Sequence, residues 1–332
     1  MTATSVTAHW YAVGFASALD DGPIGVTVVG RPLVVARLGD GPDAAIVAFD
    51  DRCRHRGAAL SPGHVADAPD GTPCLVCPYH GLHHDAAGRA VHLPARPDDR
   101  LPSTLGLAAH PTEVRHGFVW VLLDGGPQAL DRSPPEAVIP DFAAVAEPDR
   151  LSFELGPEHW AVPAPLIVEN FNDLGHFSTV HAATFADPSH PLVPDIAFTE
   201  TPVGWDHHAD MWQLDRVTLD GPLVPVQIRF SYRHTFPYAS ELIIDYDAER
   251  REWIQLVATP VDAANSLVFQ QNVRNFDLDG DVAAWHDFQW AVNEEDRVVL
   301  ETLTAGDEIA LSFDTFTIAY RRALGVRSHL AT

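Results

Sequence analysis

The chain is predicted to be α+β: an all-β N-terminal domain, then a C-terminal domain whose antiparallel sheet is flanked by helices. Three observations predict this. Short β-rich runs separated by turn signals fill the first third. From about 124 to 148 the composition changes, and Gly125-Gly126-Pro127, Ser133-Pro134-Pro135 and Glu147-Pro148 punctuate a connecting stretch. Beyond it, strands come in a run with helices before and after, the pattern of α+β rather than doubly wound α/β. Domains are therefore expected over 1–124 and 149–332, joined by a linker at 125–148.

In order, 10–15, 25–38, 44–49 and 117–123 read as strands, and 25–38 as a hairpin turning at Gly30-Arg31-Pro32. The stretch 66–73 is rich in Gly, Pro and Asp and reads as a surface loop. In the second half, 165–185 reads mainly as helix. Strands are expected at 205–219, 224–236, 240–246, 253–258 and 266–276, then helices at 282–303 and 310–324.

Composition excludes several classes of function. With 332 residues and 46% hydrophobic content, the chain can build two ordinary cores. A net charge of −25 argues against nucleic acid or an anionic membrane as partner. Every basic residue among the 21 is Arg, so lysine Schiff-base and pyridoxal phosphate chemistry are out of reach. No Gly-rich dinucleotide fingerprint follows a strand. No apolar run is long enough to span a bilayer, and the N-terminal stretch lacks a basic region before an apolar one. Three cysteines make no disulfide framework, so a cytoplasmic protein is expected.

Two short segments carry metal-ligand chemistry: Cys53-Arg54-His55-Arg56-Gly57 and Cys77-Pro78-Tyr79-His80-Gly81. Zinc fingers usually pair Cys with Cys and His with His, whereas each segment here mixes the two. That suits a [2Fe–2S] centre in which Cys53 and Cys77 hold one iron and His55 and His80 the other. A zinc knuckle is the competing reading. Gly57 and Gly81 allow tight turns after each pair. Cys74 reads as a small buried apolar residue, and His83 and His84 as surface or supporting residues rather than ligands. Arg52, Arg54, Arg56, Arg89, Arg96 and Arg100 gather in sequence around these loops.

A second metal site is suggested by Asn170, Asp173, His176 and His181. The first three are spaced by three and would share one helical face. His181 would then lie about 140° round a regular helix from His176, so both reach one metal only if the helix ends or loosens between them. Two His and a carboxylate make the facial triad of non-haem Fe(II) oxygenases. The carboxylate must come from elsewhere, and Asn293-Glu294-Glu295-Asp296-Arg297 offers candidates.

The loops CRHRG and CPYHG resemble those of Rieske iron–sulfur proteins, and Leu82 and His84 stand where that family tends to carry aromatics. Along nearly its whole length the chain resembles the α subunit of a Rieske non-haem iron oxygenase, most closely the dicamba monooxygenase and vanillate demethylase branch. The Asn-x-x-Asp-x-x-His-x-x-x-x-His motif at Asn170, Asp173, His176 and His181 carries that likeness, together with Asp296 after Trp285. The resemblance implies a Rieske β-domain joined to a helix-grip (START-like) catalytic domain, with Fe(II) held by His176, His181 and Asp296. It implies a homotrimeric ring in which Asp173 bridges His176 to His80 of the neighbouring subunit, with Asn170 behind the iron ligands. It also implies a terminal oxygenase fed by a ferredoxin or a flavin reductase using NAD(P)H, with dioxygen as co-substrate. The expected reaction is hydroxylation, or O- or N-demethylation, of a small, largely apolar molecule. Aromatic cis-dihydroxylation or oxidative cyclisation is the alternative, and a bare electron carrier or lipid-binding module the reading outside that class. Arg216, Arg229, Arg233, His234, Gln271 and Arg274 lie on or near the expected strands and could meet a polar substrate group, although solvent-facing roles suit most of them singly.

Overall fold

A computed structural model describes residues 7–41, 44–126, 137–215, 221, 223–304, 308–325 and 329–330. The chain divides into two compact units, 1–126 and 127–332.

The first unit is built from three antiparallel sheets. Thr7–Phe15, Phe118–Gly126 and Thr112–Arg115 form one. Ile24–Val28, Arg31–Leu38, Ala45–Asp50 and Ala109–His110 form the second, and the hairpin between its first two strands turns at Val29-Gly30, both with positive φ. The third consists of His64–Asp67, Pro73–Val76, His83–His84 and Ala90–His92. The segment 66–73, expected as a loop, contributes its ends to the first two of these strands, and only its middle turns. Val34, Ala36, Phe49, Leu60, Leu75 and Leu107 pack into one core that also takes in Cys53 and Cys77. Both ligand loops are thus anchored through their cysteines, at about 25 cal/mol per Å² of apolar surface removed from water.

The second unit is a seven-stranded antiparallel sheet in the order Leu151–Trp160, Ser266–Arg274, Arg251–Pro260, Ala239–Asp245, Val224–Thr235, Gly204–Asp215, Ala197–Glu200. Ala239–Asp245, Arg251–Pro260 and Ser266–Arg274 are buried almost throughout, whereas the two longest strands alternate. In Gly204–Asp215 the odd residues Trp205 to Gln213 are buried and the even ones from Asp206 to Trp212 exposed; its partner buries Ile228, Phe230, Tyr232 and His234. Among the described residues four α-helices accompany the sheet: α1 Ala164–Phe171, α2 Phe177–Val180, α3 Val282–Leu300 and α4 Thr315–Ala323. Asp281 caps α3 by accepting the Ala283 and Ala284 amides. Trp285, Gln289, Val292 and Asn293 fall on the buried face of α3, at the spacing of a helix against a sheet. This is the α+β arrangement predicted for the chain.

One expected element is broken. The helix predicted over 165–185 is two helices, α1 and the single turn α2. Asn172 ends α1: its side-chain amide donates to the Val168 carbonyl at 2.8 Å and to Ser240 Oγ at 2.9 Å. Asp173 then accepts the Gly175 and His176 amides, at 2.8 and 3.2 Å, and so competes with continued helix.

Candidate metal centres

In the first unit the two ligand loops share one backbone pattern. The Cys53 amide donates to the Ala58 carbonyl at 2.8 Å, and the Gly57 amide to the Cys53 carbonyl at 2.8 Å. The Cys77 amide donates to the Leu82 carbonyl at 2.9 Å, and the Gly81 amide to the Cys77 carbonyl at 3.1 Å. Gly57 and Gly81 take φ of 76° and 68°, the left-handed region that favours glycine. Asp51 braces the first loop by accepting the Leu60 and Ser61 amides at 2.6 and 2.8 Å.

Within this frame both cysteines are buried, while His55 is exposed and His80 half-buried. The two imidazoles sit side by side, with centroids 4.6 Å apart. Burial, followed by the nearness of Cys77, raises the pKa of the Cys53 thiol against backbone donors that lower it. Two facing buried sulfurs under two outer imidazoles fit a [2Fe–2S] cluster with one all-sulfur and one all-imidazole iron. Cys74 is fully buried and donates its thiol to the Thr72 carbonyl at 3.2 Å, and burial pushes that thiol up to about 11. His83 and His84 are not at the surface: both are buried, because their short strand lies inside the third sheet.

In the second unit the break after α1 places His176 and His181 at the two ends of α2. Their Nε2 atoms lie 3.2 Å apart, and Asp296 Oδ1 on α3 is 3.4 Å from the first and 3.2 Å from the second. These three atoms form the one such group of His, Cys, Asp or Glu among the described residues. Each Nδ1 is already engaged: that of His176 donates to Asp173 Oδ2 at 2.9 Å and that of His181 to Glu295 Oε2 at 2.8 Å. In a neutral ring with its proton on Nδ1, the Nε2 lone pair points at the other ring and at a carboxylate oxygen. Such a set repels itself without a cation. Bonds of about 2.0–2.2 Å at right angles would separate the donors by about 3 Å, close to the spacing seen.

Neighbouring groups shape the site. Asn170, at the end of α1, donates its amide to Asp296 Oδ1 at 3.1 Å. Burial raises the Asp173 pKa, but the His176 ring and the Gly175 and His176 amides outweigh it and hold the carboxyl low. Burial lowers the His181 pKa, but Asp296 and then Glu295 outweigh it and raise it. Glu295 also accepts Thr184 Oγ1 at 2.7 Å. Sequence reasoning offered Glu295 only as a rival to Asp296. The two are neighbours on α3, Asp296 in the triad and Glu295 behind His181.

The triad opens onto a pocket between the sheet and α3. Phe171, Phe177, Phe230, Leu242, Ile254, Trp285 and Phe288 give it apolar walls, with Gln213, Tyr246, Glu252, Gln289 and Asn293 as polar members. Among the described residues, none of those expected on or near the strands to meet a polar substrate group lines it. Arg229 pairs with Asp210 and Arg233 with Glu241, both facing solvent. His234, Gln271 and Arg274 are buried elsewhere, Arg274 over the Trp285 ring at 4.0 Å. Arg216 lies outside the described residues.

A β-domain with mixed Cys/His loops and a sheet domain with a two-His, one-carboxylate face define an iron–sulfur oxygenase. Comparison with known proteins agrees. Residues 9–110 match the Rieske [2Fe-2S] domain and 160–326 the vanillate O-demethylase oxygenase C-terminal domain. Methylxanthine N3-demethylase NdmB of Pseudomonas putida is 30% identical over 92% of this chain and 83% of its own. The oxygenase component of dicamba O-demethylase from Stenotrophomonas maltophilia is 34% identical over 54% of this chain and 49% of its own. The solved structure of Pseudomonas putida NdmA with caffeine superposes with a TM-score of 0.79 at 28% identity, covering 96% of this chain and 89% of that one. The chain belongs to the Rieske non-haem iron oxygenases, in the branch that includes vanillate and dicamba demethylases. That family works with a [2Fe–2S] cluster, a mononuclear iron and dioxygen.

Proposed function

We propose that this chain is the terminal oxygenase of a multicomponent system that oxidatively demethylates, or hydroxylates, a small and largely apolar aromatic or cyclic substrate. The observation that carries this is the convergence of His176, His181 and Asp296 on an aromatic-walled pocket. In this reading Cys53, His55, Cys77 and His80 hold the cluster, and His176, His181 and Asp296 hold Fe(II). The bound iron supplies dioxygen activation. The chain's residues do the rest. Asp173 and Glu295 keep protons on the Nδ1 atoms, so both Nε2 atoms stay free as ligands. Asn170 orients Asp296. The aromatic wall excludes water and holds the substrate's methyl group towards the triad. Oxidation at that carbon gives a hydroxymethyl ether or amine, which collapses to formaldehyde and the free hydroxyl or amine.

Asp173 is assigned a further role between subunits of a homotrimer. Its partly exposed carboxylate would also accept a hydrogen bond from His80 of the adjacent copy and complete the electron route. The electron donor is assigned as a ferredoxin or flavin reductase using NAD(P)H, in the cytoplasm, where thiols such as Cys74 stay reduced. Among the described residues no helix is long and apolar enough to cross a membrane.

The test is metal analysis with product analysis. The purified protein should hold about three irons per chain, with acid-labile sulfide for one cluster, and release formaldehyde from O- or N-methyl aromatics when coupled to a reductase. Zinc without visible absorption in anaerobically prepared protein would refute the reading.

A further inference from the structure

The far wall of the pocket carries a polar group that the proposed reaction does not use. Glu252 lies on the strand Arg251–Pro260, opposite Ile244 on one side and Arg274 on the other, and is 5% exposed. It lines the same pocket as the triad. Tyr246 donates its hydroxyl to Glu252 Oε2 at 3.0 Å, and Asn272 donates its amide to Oε1 at 3.4 Å. The other hydrogen of the Asn272 amide goes to Gln289 Oε1 at 3.1 Å, and Gln289 Nε2 to Asn293 Oδ1 at 3.1 Å. The strand is thereby tied to the inner face of α3. Each carboxylate oxygen has accepted one donor and can accept another.

Two facts define what this wall would bind. The pocket lining contains two carboxylates, Glu252 and Asp296, and no arginine; the buried Arg274 guanidinium acts on Glu252 from outside the lining, so an anionic group at this wall would meet the carboxylate and not the arginine. Gln289, linked to Glu252 through Asn272, stands seven residues before Asp296 on α3, about 10 Å along its axis. A molecule of one or two rings spans that interval. Burial holds the carboxyl above its ordinary range, against Tyr246, Arg274 and Asn272, so a further donor from a ligand favours its ionised form.

We propose that Glu252 selects the substrate: it accepts a hydrogen bond from an O–H or N–H, on a ring bearing no negative charge, at the end remote from the methyl group that is oxidised. This rests on the demethylase reading above and names its substrate class.

The experiment uses three shape-matched probes, 4-methoxyphenol, 1,4-dimethoxybenzene and 4-methoxybenzoate, titrated calorimetrically into the anaerobic Fe(II)-loaded protein. The phenol is expected to bind at least ten-fold more tightly than either of the others. In E252Q that preference should fall to within about three-fold, because one oxygen is left to serve Tyr246 and Asn272 and the charge is gone. An unchanged Rieske absorption spectrum and melting temperature show that the variant is folded, and the wild-type ranking tests the proposal without it. Benzoate binding as tightly as the phenol, a ranking unchanged in E252Q, or no binding by any probe would overturn the assignment. Formaldehyde release is scored separately. A phenol that binds through Glu252 but yields no formaldehyde in coupled turnover refutes demethylation and leaves the Glu252 assignment standing.

Discussion

Removing the carboxylate behind His181 should loosen iron without disturbing the fold. Glu295 accepts the His181 Nδ1 proton at 2.8 Å and the Thr184 hydroxyl at 2.7 Å. Its negative charge raises the basicity of the imidazole whose Nε2 faces the proposed iron site. Glu295→Gln keeps an acceptor but loses the charge, so the charge-assisted bond becomes a neutral one of roughly half its strength. Glu295→Ala removes both bonds and frees the ring to turn. Loss of such supporting partners typically costs about 10–100-fold in metal affinity, or about 1.4–2.8 kcal/mol. The Gln variant should fall near the lower bound and the Ala variant near the upper. The assay is anaerobic Fe(II) titration of protein stripped of mononuclear iron but retaining its cluster, whose visible spectrum serves as internal control. An Fe(II) affinity in Glu295→Ala within two-fold of wild type would show that His181 is held by something else.

Three further outcomes are expected. Asp173→Asn should cut turnover strongly while both metals stay bound, and mixing it with chains defective at His80 should restore partial activity; mixed trimers as inactive as either parent would rule out a route across subunits. Charge reversal at Arg54 and Arg56, which flank His55 and are exposed, should slow cluster reduction by an acidic ferredoxin, more at low salt than high, and leave dithionite-driven turnover intact; a reduction rate unchanged at low salt would place docking elsewhere. The fold should also weaken in acid through two buried histidines that are not part of the triad. Burial lowers His207 to about 4 and His234 to about 3, so both stay neutral in the fold while their unfolded counterparts take protons below about pH 6.5. Stability is then full above pH 6.5 and falls as pH drops towards 4, by about 1.4 kcal/mol per pH unit for each histidine. Urea midpoints for wild type and His207→Gln should diverge between pH 7 and 5, and parallel lines would refute the assignment.

What could be read from the sequence follows the range over which each interaction acts. Gly204–Asp215 and Val224–Thr235 announced themselves because one face meets a core and the other water, and Arg251–Pro260 and Ser266–Arg274 as apolar, β-rich runs buried on both faces. Leu151–Trp160 went unread because Gly156-Pro157 looks like a break, yet the sheet absorbs it as a register irregularity between Leu155 and Glu158. Ala197–Glu200, a short edge strand, and the two- to four-residue strands of the first unit carry too few residues to show a period.

Among the site residues the same division appears. The Cys53 and Cys77 loops are closed by bonds between residues four or five apart, so their chemistry lies on the page as a motif. The pairing of His176 with Asp173 was also in the sequence, but through the wrong geometry. A three-residue spacing suggested one helical face, whereas Asp173 reaches His176 because α1 has already ended at Asn172 and Asp173 takes the Gly175 and His176 amides. That ending is what lets His176 and His181 turn towards each other. Glu252 gives no such signal. It meets Tyr246 across a hairpin and Gln289 only through Asn272 on the next strand, so its place in the pocket exists only once the sheet has been assembled under α3. Residues that hold a metal in one local loop can be found by spacing; residues that choose a substrate are brought together by tertiary structure, and here only the folded chain reveals them.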